Sequence, residues 1–221
     1  MRASAVCCAL ALVANAAPCL AAGPTQGEGR GDCAPARRRH DGFFARVETG
    51  LALLRSRAEQ PSAAPERTAL RAWGQSTTLA VGATPFPGLV IAGTLWAARL
   101  DPTFYELGEP RSPDDDSVKL TWARLGPLLS YYPDPGRGFH VDAFAGLSLA
   151  VESDEKGDPL EPGFAGPSAA LALGHDWFVS SELSLGVSAR ATFARVARSH
   201  GGRSESLSPE VLEISIAYTY H

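Results

Sequence analysis

The chain has 221 residues, of which 45% are hydrophobic and 20% charged, and its formal net charge is −4. This apolar content excludes a disordered polyelectrolyte, and the acidic balance argues against a nucleic-acid-binding protein because phosphate is repelled. The length suits one domain or at most two small ones.

Residues 1–22 predict an export signal. Arg2 precedes an apolar run over residues 5–14, and small residues follow it, which is the order of a positive, an apolar and a cleavage region. The run is too short to span a bilayer, which takes about 20 residues. Residues 23–42 are predicted to be a flexible periplasmic tail. Cys33 is then the one cysteine left after cleavage, and a single thiol makes no intramolecular disulfide.

From Phe43 onward the hydrophobic pattern has a period of two, which is typical of β-strands. Clear alternation covers residues 43–53, 139–152, 183–193 and 212–220, and fainter alternation covers 70–82, 88–100, 117–132 and 164–178. Pro127 and Pro167 interrupt two of the fainter segments and predict a bulge, a change of parity or a late strand start. Which face of segment 117–132 points inward stays open.

The connections between these segments alternate between long and short. Long polar connections are predicted over 56–69, 101–116, 153–163 and 198–207, and tight turns at 85–87, 133–136 and 179–182. Every long connection then falls at the same end, which predicts an up-and-down order of the strands. We expect an all-β fold, an eight-stranded antiparallel up-and-down β-barrel over residues 43–221.

Two features favour a transmembrane barrel, with an apolar outer face and a polar lumen, over a soluble one. Charges lie near strand centres on the polar parity, where an apolar core would penalise each unpaired charge heavily. The predicted lumen network is Arg46, Glu48, Arg124, His140, Asp142, Arg190 and Glu213. Aromatic residues near the tight turns predict an interfacial girdle. Its members are Phe43, Tyr131, Tyr132, Trp177, Tyr218 and Tyr220, with Trp73, Trp96 and Phe193 toward the opposite rim.

With its strand number, loop alternation and C-terminal strand 213–221, the chain resembles the small outer-membrane β-barrels of Gram-negative bacteria, the OmpA/OmpW/OmpX-like group, over about residues 41–221. Members end in an aromatic-rich strand, usually with a terminal Phe, that the barrel-assembly machinery recognises; here His221 follows Tyr220. Segments 40–44 and 131–135 also resemble predicted barrels of myxobacterial type. The resemblance implies the cell outer membrane, with its lipids, lipopolysaccharide and the assembly machinery as partners.

No motif marks a nucleotide, metal or catalytic site. Asp114–Asp116 lacks the spaced ligands of a calcium-binding loop. His140 and Asp142 share one face of a strand, and a base of this kind needs a serine nucleophile. The serines considered as its partner are Ser148, Ser184, Ser188 and Ser215.

We therefore expect a monomeric, non-enzymatic outer-membrane barrel without a cofactor, with a structural, surface or small-solute-interacting role. Two alternatives stay open. A soluble, lipocalin-like carrier of an apolar ligand would have the apolar parity inside. A lipid-modifying barrel enzyme would depend on His140.

Overall fold

A computed structural model of the protein describes residues 42–59, 68–106, 109–110, 118–154, 163–200 and 203–221. The predicted export signal, the predicted tail up to residue 41 and Asp114–Asp116 lie outside these ranges. Within the ranges, no helix is long and apolar enough to cross a membrane. The described residues form β-strands and the turns between them.

Eleven strands run through this part of the chain. They are β1 (Gly42–Glu59), β2 (Thr68–Phe86), β3 (Leu89–Glu106), β4 (Glu109–Pro110), β5 (Lys119–Tyr131), β6 (Phe139–Ser153), β7 (Phe164–Phe178), β8 (Leu183–Ala194), β9 (Val196–His200), β10 (Arg203–Leu207) and β11 (Glu210–Tyr220). The β9–β10 pairing continues the β8–β11 register without a shift. The pairs β8 with β9 and β10 with β11 therefore each act as one strand of the barrel.

The strands close into an eight-stranded antiparallel barrel. Neighbouring pairs follow the chain from β1 through β2, β3, β5, β6 and β7 to β8. β11 pairs with both β8 and β1, so the last strand joins the first. The short β4 adds to the end of β3. The predicted fold class is confirmed.

The three tight turns lie at one end of the barrel, which we call the short-turn rim. Pro87 and Gly88 join β2 to β3, residues 132–138 join β5 to β6, and residues 179–182 join β7 to β8. Gly88 and Gly138 have φ angles of 81° and 76°, a left-handed conformation that glycine adopts without steric cost. The opposite end is the long-loop rim.

Toward the long-loop rim the strands extend farther than predicted. The predicted loop 56–69 contains the end of β1 and the start of β2, and 101–116 contains the end of β3 together with β4. The predicted loop 198–207 overlaps most of the β9–β10 hairpin, which begins at Val196. Beyond the apolar band a strand needs no apolar outward row, and the sequences of these strand ends therefore resemble loops.

The stagger of the barrel fixes its width. Following paired residues once around from Phe43 returns to β1 at Leu53, ten residues along, by way of Ala83, Ile91, Leu129, Ala143, Leu171, Ala191 and Leu212. Eight strands with this stagger tilt by about 40° and give a backbone radius of about 8 Å. The lumen is therefore narrow enough for side chains from opposite walls to meet.

The two parities of each strand face opposite environments. Leu51, Leu147 and Ile214, on the outer face, are 62%, 65% and 72% exposed, whereas Arg46 and Glu48 are each 1% exposed. In β5 the even-numbered residues point inward, which settles the face of segment 117–132. The ten residues from Phe43 to Leu53 span roughly 25 Å along the axis, the height of the apolar band of outer-membrane barrels.

Neither Pro127 nor Pro167 causes the expected bulge, parity change or late strand start. Both prolines face outward. β7 begins at Phe164, ahead of Pro167, and the β5–β6 pairing keeps one register on both sides of Pro127. Each proline removes one ladder donor, but the outward-pointing ring leaves the course of the strand unchanged.

Two aromatic predictions are wrong. Tyr132 and Trp96 are 1% and 2% exposed and point into the lumen instead of joining the girdles. They lie on the inward parity of the β5 and β3 segments, a parity that the sequence left open for β5. The remaining predicted aromatics face outward, namely Phe43, Trp73, Tyr131, Trp177, Phe193, Tyr218 and Tyr220.

The outward apolar face predicts opposite behaviour for two adjacent cysteines. In a Cys33→Ser background, Leu147→Cys is expected to react with a lipid-soluble fluorescent maleimide, and nitroxide-labelled lipid should quench the attached fluorophore. Ser148→Cys is expected to stay unreactive because that position is 0% exposed inside the barrel. Fluorescence of the two variants in native membranes is the measurement. Equal labelling of both positions, or release of the protein by carbonate, would contradict the assignment of faces.

Candidate functional site

Strand alternation places all seven residues of the predicted lumen network on the inner wall. Arg46 and Glu48 lie two residues apart on β1, as His140 and Asp142 do on β6. Arg124, Arg190 and Glu213 enter from β5, β8 and β11. Every one of the seven is at most 7% exposed. Charges from five strands therefore meet inside the barrel.

Arg190 is the centre of a group that we call the central network. Its guanidinium donates to Glu48 at 2.5 Å, and to Glu213 and the Thr78 hydroxyl at 3.1 Å each. Glu213 also accepts hydrogen bonds from Ser76 at 2.6 Å and from the Trp96 indole N–H at 2.9 Å. Each carboxylate thus has a cationic partner, which a buried charge requires.

Arg124 lies beside the central network. Its guanidinium donates to Thr192 and lies 4.0 Å from a Glu213 oxygen. It also stacks 4.1 Å from the centre of the Trp96 ring, a cation–π arrangement. Its Nε and the hydroxyls of Ser148 and Ser168 have no hydrogen-bond partner among the described residues. These three groups keep hydrogen-bonding capacity for water or a small polar solute.

Arg46 is the centre of the lower network, which lies toward the short-turn rim. It donates to Asp142 at 2.9 Å, to the Tyr132 hydroxyl at 2.5 Å and to Thr219 at 3.2 Å. Its guanidinium is also 3.5 Å from Asp176 and 3.7 Å from Glu48. Glu48 therefore joins the lower network to the central one.

Asp176 and Tyr132 also belong to the lower network. Asp176 was not predicted as a site residue, and Tyr132 was predicted to join the girdle instead. The Tyr132 hydroxyl donates to Asp176 at 2.9 Å while it accepts from Arg46. Asp176 is 1% exposed. The sequence did contain a signal for Asp176. Its even number places it on the inward face of β7, whereas Leu171 and Leu173 point outward.

Two glycines make room for these buried side chains. A Cβ at Gly174 would collide with the His140 ring, and a Cβ at Gly186 would collide with the Asp176 carboxylate. In a lumen of this radius, larger residues at both positions would displace members of the lower network. The glycines thus belong to the network although they carry no polar side chain.

The contacts of His140 differ from those of a base that activates a serine. Its Nδ1 lies 3.3 Å from the Gly138 carbonyl and 3.6 Å from Asp176, and its Nε2 lies 3.8 Å from Asp142. Nε2 has no hydrogen-bond partner among the described residues. None of the candidate serines is hydrogen-bonded to His140.

Those serines have other environments. Ser188 and Ser215 bond to each other at 2.7 Å, and Ser184 lies 3.0 Å from Nε2 of His221. The His221 ring lies 5.5 Å from that of Phe178 and 6.2 Å from that of Phe44. His221 and these aromatic rings therefore fill the short-turn end of the lumen.

Toward the long-loop rim the lumen is largely apolar, and an ion pair between Arg198 and Glu152, at 3.4 Å, lies beside Phe164. A cluster of buried hydrophobic residues from β1, β2, β3, β5, β6, β7, β9 and β11 fills this part, which we call the upper cluster. Its large members are Leu54, Leu70, Trp96, Leu100, Leu120, Trp122, Phe164, Val196 and Val211. A second apolar group, which includes Phe44, Leu128, Tyr132 and Phe144, packs against the polar networks.

The charges of the lumen nearly balance. Three arginines, Arg46, Arg124 and Arg190, face the four carboxylates of Glu48, Asp142, Asp176 and Glu213. The described residues contain no group of three or more His, Cys, Asp or Glu arranged to hold a metal ion. The arrangement is suited to linking different strands of the barrel through ion pairs.

Comparisons with solved structures find barrels of similar size. The outer membrane protein OprG from Pseudomonas aeruginosa is 14% identical, with a TM-score of 0.48, and the match covers 83% of this chain and 99% of OprG. Neisserial surface protein A is 15% identical, with a TM-score of 0.48, and the match covers 81% of this chain and 96% of that protein. The outer membrane protein AlkL, studied in lipid bilayers, is 12% identical, with a TM-score of 0.47, and the match covers 90% of this chain and 96% of AlkL.

No protein-family model and no curated protein sequence matches the chain. At their identities and TM-scores, the solved barrels carry no weight for the activity of this protein. Its own geometry does: the apolar parity is exposed and the charged parity is buried. This is the polarity of a transmembrane β-barrel, and it agrees with the predicted location in the cell outer membrane.

The central network predicts a large loss of stability on removal of its cation. Arg190→Leu leaves Glu48 and Glu213 buried with fewer partners, and breaking a buried ion pair in this way costs about 3–5 kcal/mol. Urea unfolding of the barrel in detergent micelles measures the loss. Arg137→Leu, at an 84% exposed side chain in a tight turn, is the control and should change stability by less than about 0.5 kcal/mol. Equal stability of both variants would contradict the inward ion network.

Two adjacent tyrosines give a second, more conservative test. Tyr132→Phe removes the hydroxyl between Arg46 and Asp176, and a lost buried hydrogen bond of this kind costs about 1–3 kcal/mol. Tyr131→Phe changes a side chain that is 51% exposed on the outer face and is expected to be nearly neutral. The same unfolding assay compares them, and a larger effect at Tyr131 would reverse the assigned faces of β5.

Proposed function

We propose that this outer-membrane β-barrel is a non-enzymatic, non-conducting membrane anchor that carries a rigid β-rim at the cell surface. The observation that carries the proposal is the filled lumen. Ion networks occupy its lower and central parts, and the upper cluster occupies the part toward the long-loop rim.

The filling predicts that ions do not pass. An eight-stranded barrel has an interior just wide enough for side chains to fill. Here Trp96 and Trp122 lie across the upper part and are each 2% exposed. Below them, Arg190 bridges β1 and β11 through Glu48 and Glu213. An ion would have to separate both layers to cross.

The rim supports a surface role. β1 continues six residues beyond Leu53 to Glu59, which raises it roughly 15 Å above the apolar band. β10 pairs with this extension through Ala58 and Leu207, so the barrel stays closed there. A rigid, polar β-surface outside the bilayer suits structural or adhesive contacts.

The alternatives have less support. A soluble carrier needs the apolar parity inside, and that parity is outside. A lipid-modifying enzyme built on His140 needs a serine within hydrogen-bonding distance, and the Nε2 atom of His140 has no hydrogen-bond partner among the described residues.

The test uses the four tryptophans as two matched pairs in planar lipid bilayers. The unmodified barrel is expected to show no conductance steps. Trp96→Ala/Trp122→Ala removes the two largest side chains of the upper cluster and is expected to raise the ion leak. Trp73→Ala/Trp177→Ala removes two outward tryptophans, which are 64% and 52% exposed, and is expected to stay closed.

Regular conductance steps from the unmodified protein would contradict the non-conducting role and favour a channel. Resistance to carbonate extraction, measured on the same preparations, establishes that each barrel is inserted before its conductance is recorded.

A further inference from the structure

Arg124 crosses the lumen from β5 to β8. Its backbone belongs to β5, and its Nη1 atom donates a hydrogen bond to Thr192 on β8. The guanidinium therefore passes in front of β6 and β7, the two strands that lie between. Ser148 of β6 and Ser168 of β7 point into the lumen on these strands and are 0% and 6% exposed.

The four residues lie at nearly the same height in the barrel. The rows of paired residues climb by about 1.25 residues from one strand to the next, since eight strands share the ten-residue stagger. Arg124 pairs with Ser148. Ser168 and Thr192 each lie two residues nearer the short-turn rim than the partner of the preceding serine. With the climb included, all four lie within about 4 Å along the axis.

Three polar groups at this height have no hydrogen-bond partner among the described residues. They are Nε of Arg124 and the hydroxyls of Ser148 and Ser168, and we call these three residues the Arg124 site. The register explains the unpaired hydroxyls, because Ser148 is opposite Gly166 and Ser168 is opposite Gly146. Buried polar groups in folded proteins normally have partners, so this site requires one.

The charge of Arg124 is only partly compensated. The carboxylate beside it is that of Glu213, whose Oε2 atom lies 4.0 Å from Nη2. The same oxygen already accepts hydrogen bonds from Arg190 at 3.1 Å and from Trp96 at 2.9 Å. The rings of Trp96 and Phe144 lie 4.1 and 5.5 Å from the guanidinium carbon. Arg124 is therefore a desolvated cation that shares its carboxylate with a second arginine.

This set of donors suits a small anion. The Nε–H of Arg124 can only donate, and each serine hydroxyl can donate. A water molecule accepts two hydrogen bonds with its two lone pairs, whereas a halide ion accepts three or more. Hydrogen bonds between a guanidinium and an anion are also stronger than those between neutral groups. The surplus carboxylate of the lumen lies elsewhere, in the lower network, where Arg46 contacts both Asp142 and Asp176.

We propose that the Arg124 site binds one small monovalent anion of chloride size. The ion accepts hydrogen bonds from Arg124 Nε and from the hydroxyls of Ser148 and Ser168, and it links β5 to β6 and β7. It lies between the central network and the upper cluster, and it is enclosed as the strands close. The proposal goes beyond the proposed function, because it concerns an ion that stabilises the folded barrel from within.

Urea unfolding of the full barrel in non-ionic detergent tests the proposal. Sodium chloride replaces sodium gluconate at constant ionic strength, since gluconate is too large for the site. An anion that binds only the folded barrel stabilises it by mass action. The unfolding equilibrium constant should therefore fall about tenfold for each tenfold rise in chloride above the dissociation constant.

Two matched pairs of serines locate the ion. Ser148→Ala/Ser168→Ala keeps the arginine but removes two of its three ligands, and about tenfold or more chloride should be needed for the same effect. Ser188→Ala/Ser215→Ala is the control, because these two lumen hydroxyls bond to each other at 2.7 Å, and it should keep the chloride response of the unmodified barrel. Heat-dependent gel mobility reports whether each variant is folded.

Equal stability of the unmodified barrel in chloride and gluconate would overturn the anion and leave water as the partner of these groups. A chloride response that both double variants retain would overturn its placement at the Arg124 site. Conductance steps from the unmodified barrel would contradict the proposed function and leave the chloride result unaffected, so the two proposals fail separately.

Discussion

The rest of the structure depends on one constraint: within the apolar band, the outer face sends the charged side chains of the strands into a lumen about 8 Å in backbone radius. At that width, charges from different walls must contact one another. Arg190 bridges Glu48 and Glu213, and Arg46 reaches Asp142 on a strand across the barrel. Removing either cation leaves carboxylates buried without their partners. The pairs Arg190–Glu48 and Arg46–Asp142 join strands that share no backbone hydrogen bonds, whereas Arg190 and Glu213 lie opposite each other on the paired strands β8 and β11.

The small residues follow from the same crowding. Gly174 and Gly186 leave the space that His140 and Asp176 occupy, so two positions of the inner wall lack a side chain where a large polar one lies opposite. On the outer face, Ala189 and Ala191 leave a furrow where their neighbours are leucine and isoleucine. Inside, the missing volume is filled by the network.

The two ends of the barrel differ in a way that suits a surface anchor. His221 and its aromatic neighbours occupy the short-turn end, whereas the upper cluster lies toward the long-loop rim and the strands continue past the bilayer. Apolar side chains toward the long-loop rim and ion pairs in the centre fill the lumen. This filling of the lumen favours a stable surface anchor over a channel.

The sequence by itself determined the strand number, the alternation of faces and the inward position of Arg46, Asp142, Arg190 and Glu213. Strand periodicity is local, and lipid imposes it along each strand. The sequence did not determine that Tyr132 joins Arg46 to Asp176 or that Trp96 donates a hydrogen bond to Glu213. Nor did it determine that β1, β2 and β3 extend beyond the apolar band. Cross-lumen partners depend on closure and on the ten-residue stagger, which pair residues far apart in the chain. Strand ends surrounded by water lose the apolar alternation, so only the tertiary structure separates them from loops.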